Sequence, residues 1–202
     1  MIDSWMVRQI QPTLNQFAFD WVPIWVKANA ITLIGFLIGL LVLPLLREQS
    51  FYLALAVILI NRFLDGLDGA IARRDGISDL GGFLDISCDF IFYSAVVFGF
   101  ALADPGRNAL AASFLIFSFI GTGSSFLAYA VMVSKRELNS KKYGKKGFFY
   151  LGGLTEGFET MVFMVFICLV PDWFVETATV FGILCWLTTF GRFTVAVQSL
   201  RN

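Results

Sequence analysis

The chain has 202 residues, of which 57% are hydrophobic and 15% charged, with a formal net charge of zero and a mean hydropathy of +0.75. Soluble domains run at about 45–50% apolar and about 25% charged, so one core of this size could not bury the surplus, and the natural solvent is lipid. The absence of histidine excludes a histidine general base, a His-ligated metal and a Ser-His triad. Cys88, Cys168 and Cys185 lie in apolar runs without C-x-x-C spacing and read as small core residues.

Residues 4–25 interleave Trp5, Ile10, Leu14, Phe17, Trp21 and Trp25 with polar side chains at roughly helical spacing. This mixed N-terminus does not read as a cleavable signal peptide. It suits an amphipathic helix lying in the membrane interface; the alternative is a surface helix packed on its own domain. Six apolar stretches follow, at about 31–46, 51–72, 82–103, 109–133, 160–170 (beginning earlier, near residue 154) and 174–197. Each is near the twenty residues a helix needs to cross the hydrocarbon, and no period-two alternation suggests a β-barrel. The predicted fold is therefore an all-α membrane protein of one domain over 1–202: an interfacial helix at 4–25, then a core of six transmembrane helices at 30–200.

Cations orient the spans. Arg73 and Arg74 make one turn basic, and 135–146 carries Lys135, Arg136, Lys141, Lys142, Lys145 and Lys146. Arg8, Lys27 and Arg201 lie towards the two ends, while the intervening connections hold only Arg47 and Arg107. The positive-inside rule puts both termini and the basic segment in the cytoplasm, which six spans satisfy and five or seven do not.

The stretch from Asn61 to Phe90 is anomalous in so apolar a chain. Asp65 and Asp68 are three apart and Asp85 and Asp89 four apart, so on helices each pair shares a face. All four acids fall at one level, a turn or two below the cytoplasmic surface. Ionised together in a partly buried place they repel, and each costs several kcal/mol to desolvate. The all-oxygen set suits Mg²⁺ or Mn²⁺. The structural alternative is a protonated cluster, or pairing with Arg62 and Arg73; two arginines cannot cancel four acids. Gly66 and Gly69 flank Asp68, and Gly81 and Gly82 open the next span. They leave space for a bulky group between the two helices, although the glycines alone favour tight helix packing. Arg73, one turn beyond, is placed for a phosphate. Metal, close backbone approach and arginine together suggest a pyrophosphate substrate.

The run D-G-L-D-G-A-I-A-R at 65–73, followed by G-G-F-L-D-I-S-C-D at 81–89, resembles the signature of the CDP-alcohol phosphatidyltransferases, D-x-x-D-G-x-x-A-R then G-x-x-x-D-x-x-x-D. Seven residues separate Arg73 from Gly81, one fewer than the usual spacer. N-A-I-T at 29–32 resembles the family's P-N-x-x-T entry to the first span, with Ala28 in place of the proline. The resemblance implies that Asp65, Asp68 and Asp85 bind divalent ions, usually a close pair, with Asp89 sharing one. It implies that Gly69 and Arg73, with Ser78, Asn29 and Thr32, contact a CDP-linked lipid such as CDP-diacylglycerol. Asp89 would act as general base on an alcohol acceptor, and CMP would leave. It further implies a homodimer, an enzyme of phospholipid biosynthesis in a bacterial or archaeal cell membrane, and no nucleic-acid partner.

For the acceptor, Arg192 inside the last span, with Lys135 and Arg136 after the fourth, suggests an anion pocket for a phosphorylated alcohol such as glycerol phosphate or inositol phosphate. The alternative reading makes the lysine and arginine positive-inside anchors and pairs Arg192 with Glu156 or Glu159, and a neutral acceptor such as serine stays open. Three other classes fit the sequence less well. An aspartate-rich, Mg-dependent membrane prenyltransferase also uses carboxylates on a diphosphate but lacks the G-x-x-A-R continuation. An ion-coupled transporter would spread its acids through the membrane depth. A purely structural membrane protein gives no reason for four buried acids.

Overall fold

The structure, a computed structural model, describes residues 2–139 and 155–201, with side chains described over 9–136 and 155–201. The cations Lys141, Lys142, Lys145 and Lys146, and the start of the fifth stretch near residue 154, lie outside the described residues.

Eight α-helices account for nearly all of the described chain, and no strand occurs among the described residues. In order they are α1 (Ile2–Trp21), α2 (Ala28–Gly39), α3 (Val42–Arg47), α4 (Phe51–Asp75), α5 (Asp79–Ala103), α6 (Pro105–Asn139), α7 (Gly157–Leu169) and α8 (Phe174–Leu200), with a single 3₁₀ turn at Pro171–Trp173 before α8. Among the described residues, four segments are long and apolar enough to cross a membrane: Ala28–Arg47, Asp79–Ala103, Pro105–Arg136 and Pro171–Leu200. The chain is an all-helical membrane protein. The acids and arginines of α4 keep its 25 residues from reading as uniformly apolar, and α7 has only 13.

The first apolar stretch is not one continuous helix. It breaks at Leu40–Leu41 between α2 and α3. Pro44 supplies the reason, since it has no N–H to give to the Leu40 carbonyl and its ring crowds that oxygen. The Leu40 carbonyl is instead taken by the Leu43 N–H at 3.1 Å, one residue early. The third stretch starts earlier than residue 82. Ser78 caps α5, its hydroxyl accepting from the Gly81 N–H at 3.1 Å. The α4–α5 connection is therefore three residues, Gly76 to Ser78, and Gly76 makes the reversal at φ +116°, a backbone conformation that side chains disfavour.

The main core lies between α3, the first half of α4, the second half of α5, α6, α7 and α8. It is built of stacked rings: Phe100 on Phe174 at 4.7 Å between centroids, and Phe163 on Phe181 at 4.6 Å. With lipid outside, close packing of this kind holds helices together where water expulsion does not. A second, smaller cluster of Ala18, Leu67, Ala70 and Ile71 seats α1 on α4. Arg74 fastens that contact by donating to the carbonyls of Ala18 and Val22, at 2.7 Å each, where the α1 helix ends. Beyond this seat Trp21 and Trp25 are 77% and 76% exposed.

Candidate active site

α2, α4 and α5 converge at the level of the acids. Asp65 and Asp68 project from α4 and Asp85 from the first turns of α5. One carboxylate oxygen from each lies within 4.8 Å of the other two. Asp68 is 4% exposed and accepts a 2.5 Å hydrogen bond from the Thr32 hydroxyl of α2. Three ionised carboxylates this close repel unless a cation offsets their charge, and oxygen donors with a hydroxyl fixing one of them match a hard divalent ion. The cluster therefore fits a divalent metal, with Asp65, Asp68 and Asp85 as the residues to hold it.

Asp89, one turn further along α5, stands apart from that trio. The Arg62 guanidinium donates to one of its oxygens at 2.7 Å, and the Tyr93 hydroxyl donates to the other at 2.9 Å. Arg62 also reaches Asp65 at 3.5 Å.

Beside the three acids opens a cleft of about 450 Å³ between α2, α4, α5 and the α4–α5 turn. Asn29, Thr32, Gly69, Arg73 and Ser78 all line it, together with Asp68 and Asp85. The five residues that the resemblance implies for a CDP-linked lipid thus line one cleft. Gly81 and Gly82 line the cleft as well, and so do Lys27, Asp75, Gly76 and Ile77, to which the sequence assigns no part in a site. Lys27 carries a signal, as a cation two residues before the N-A-I-T turn at 29–32. Gly81 is packed against Ser78 Oγ and Asn29 Oδ1, where a Cβ would lie 3.1 and 3.2 Å away, so the α2 entry and the α5 start meet backbone to side chain. Arg73 folds back over Gly69, where a Cβ would come within 3.3 Å of its guanidinium, and its Nε donates to Asn15 of α1 at 2.9 Å.

Gly66 takes the packing alternative. The space it leaves is filled by Leu14 of α1, 2.8 Å from where a Cβ would be. At this glycine the purpose is helix packing, not ligand room. The sequence pattern of α4 could not distinguish the two, because the partner helix lies some fifty residues away in the chain.

The suggested acceptor cations do not line the cleft. Arg192 donates to the Thr122 carbonyl at 2.9 Å and lies over the Phe126 ring at 5.4 Å, holding α8 against α6. Arg136 donates to the carbonyls of Ser199 and Leu200 at the end of α8, a favourable place for a cation. Lys135 is exposed. Glu156 and Glu159 form a reciprocal capping box at the start of α7.

Comparison with known proteins places this architecture. Residues 25–194 match the family model for CDP-alcohol phosphatidyltransferase. The chain is 52% identical over 192 residues to an inner membrane protein of Escherichia coli, YnjF, covering 95% of this chain and 93% of that one. It is 36% identical over 102 residues to the archaetidylinositol phosphate synthase of Pyrococcus horikoshii, covering 48% of this chain and 54% of that one. The crystal structure of Mycobacterium tuberculosis phosphatidylinositol phosphate synthase with CDP-DAG bound superposes with a TM-score of 0.58 over 93% of this chain and 92% of that one, at 22% identity, a likeness of fold. Cleft, acid cluster and sequence match together make this chain a member of the CDP-alcohol phosphatidyltransferase family.

Proposed function

We propose that the chain transfers a phosphatidyl group from CDP-diacylglycerol, or a similar CDP-linked lipid, to the hydroxyl of a small alcohol and releases CMP. The observation that carries this reading is the continuity of the cleft with the acid cluster: Asn29, Thr32, Gly69, Arg73 and Ser78 share it with Asp68 and Asp85.

In this reading the diphosphate and nucleotide occupy the cleft. Gly69 and the Gly81–Gly82 start of α5 admit the donor close to backbone, and Arg73 pairs with a phosphate. Asp65, Asp68 and Asp85 hold Mg²⁺ or Mn²⁺, and the pair of ions implied by the resemblance would enlist Asp89 beside Asp65. A divalent ion here supplies positive charge for the phosphoryl oxygens and the departing CMP. Asp89 takes the proton from the acceptor hydroxyl, whose oxygen then attacks the β-phosphorus. For the acceptor we retain a phosphorylated alcohol, glycerol phosphate or inositol phosphate, with Arg192, Lys135 and Arg136 as the candidate anion partners. A neutral alcohol such as serine is the competing choice.

The same reading runs α2–α3, α4, α5, α6, α7 and α8 across the membrane as six spans of one domain. Both termini and the active site face the cytoplasm, α1 lies in the interface, and two copies form a homodimer. The exposed Trp21 at the end of α1 and Trp25 just after it support the interfacial placement. Asp89→Asn tests the chemistry. Transfer should fall by about 100-fold or more, with CDP-lipid binding retained. Full activity in that variant removes Asp89 as the base.

A further inference from the structure

Arg62 is a cation in the middle of an apolar helix, and such residues are functional until shown otherwise. Neutralising the acids would explain its charge but not its bonding. Its closest carboxylate is Asp89, at 2.7 Å, and not the cluster member Asp65, at 3.5 Å. Its Nε and one Nη donate to the Asn61 side-chain oxygen at 2.9 and 2.6 Å, and the other Nη donates to the Tyr93 hydroxyl at 3.0 Å. Asn61 is itself fixed, its amide donating to the Gly35 carbonyl of α2 at 2.9 Å. The rings of Phe92 and Tyr93 lie 5.0 and 5.2 Å from the guanidinium carbon. One planar group is thus oriented from α2, α4 and α5 together, as a fork can be and a point charge cannot.

We propose that Arg62, preset by Asn61 and working with Tyr93, is a positioning residue that fixes the Asp89 carboxylate for proton removal from the acceptor hydroxyl. The inference rests on the reading of Asp89 as the general base. Each Asp89 oxygen receives one of the two donors, so the carboxylate cannot turn. A carboxylate oxygen has a second lone pair, so the clamp orients the base without using it up.

The test compares the full-length wild type with Arg62→Met, Arg62→Lys and Asp89→Asn in lipid vesicles. Transfer from radiolabelled CDP-diacylglycerol is followed to whichever of glycerol phosphate, inositol phosphate or serine the wild type uses best. Binding of Mn²⁺ alone is measured in parallel by electron paramagnetic resonance. In Arg62→Met, kcat should fall about 100-fold while the KM for CDP-diacylglycerol and the Mn²⁺ affinity stay within about threefold of wild type. Arg62→Lys, which keeps the charge without the fork, should recover part of the loss. Wild-type kcat in Arg62→Met overturns the inference, and so does a kcat loss matched by an equal loss of Mn²⁺ binding, which would make Arg62 a neutraliser of the cluster. If Asp89→Asn is inactive while Arg62→Met is active, only the positioning role fails. An active Asp89→Asn removes the base assignment and the positioning role with it.

Discussion

Asp68 is 4% exposed and held by Thr32, and it stands on both the acid cluster and the cleft. It is the residue through which metal and donor binding should be coupled. Asp68→Asn keeps the shape and removes the charge, so Mn²⁺ affinity should drop by about 10–100-fold, read from the free-Mn²⁺ resonance. Thr32→Val removes the hydroxyl that orients Asp68 and should weaken Mn²⁺ by about tenfold by the same measurement; unchanged binding in both variants would detach Asp68 from the metal. The acids themselves were legible in the sequence, because four carboxylates in an apolar chain need a counter-charge. The clamp on Asp89 was not. Arg62 counted only as a possible neutraliser, and Tyr93 stood four residues after Asp89 as one aromatic among many. A contact between helices, which no spacing within one helix reveals, is what gives them a part. Arg192 remains the acceptor candidate with a test of its own. Arg192→Ala should raise the KM for a phosphorylated acceptor by about tenfold or more and leave that for CDP-diacylglycerol nearly unchanged. Equal losses for both would instead reflect the α6–α8 contact that Arg192 makes through Thr122 and Phe126.

Elements followed the hydropathy pattern closely, with departures that have local causes. Pro44 divides the first stretch into α2 and α3, and Ser78 starts α5 three residues ahead of the apolar run. The shortened spacer between Arg73 and Gly81 is accommodated by the sharp reversal at Gly76, with φ +116°, which leaves Ser78 both capping α5 and lining the cleft. Gly76→Ala should therefore destabilise the protein by about 1–3 kcal/mol. Gly82→Ala, inside a helix with open space around its Cβ, should be neutral or slightly stabilising. Thermal unfolding in detergent distinguishes them, and equal melting temperatures would mean that the α4–α5 turn is not strained in the way its backbone indicates. Seating of α1 on α4 through Leu14 and Ala18 was the alternative that the sequence left beside an interfacial helix. The two are compatible, since α1 packs along one face while Phe19 and Trp21 stay exposed.

At the scale of the whole molecule, the site is one end of a helical bundle whose opposite end is the ring-stacked core around Phe100 and Phe174. This division explains why the fold and the donor chemistry were readable from sequence while the acceptor site was not. The proposed donor site is built from a contiguous stretch of α4 and α5 plus one turn of α2, whereas an acceptor pocket would be assembled from α6 and α8, helices distant in the chain. The proposed orientation makes a separate prediction. A cysteine replacing Arg201 should react with a membrane-impermeant thiol reagent only from the cytoplasmic face, and one replacing Asp172, in the turn before α8, only from the opposite face. Reaction of both from one side would contradict the six-span arrangement.

The central claim is the metal-dependent transfer of a phosphatidyl group, and it is tested most directly with the purified full-length chain in lipid vesicles. Radiolabelled CDP-diacylglycerol is supplied with glycerol phosphate, inositol phosphate or serine, with and without Mg²⁺, and the lipid products and CMP are quantified. The account predicts one new phospholipid formed mole for mole with CMP, only when the divalent ion is present, and lost in Asp89→Asn. Cleavage of the donor that is indifferent to metal and to Asp89, or no CMP with any acceptor while Mn²⁺ still binds the acid cluster, would contradict it.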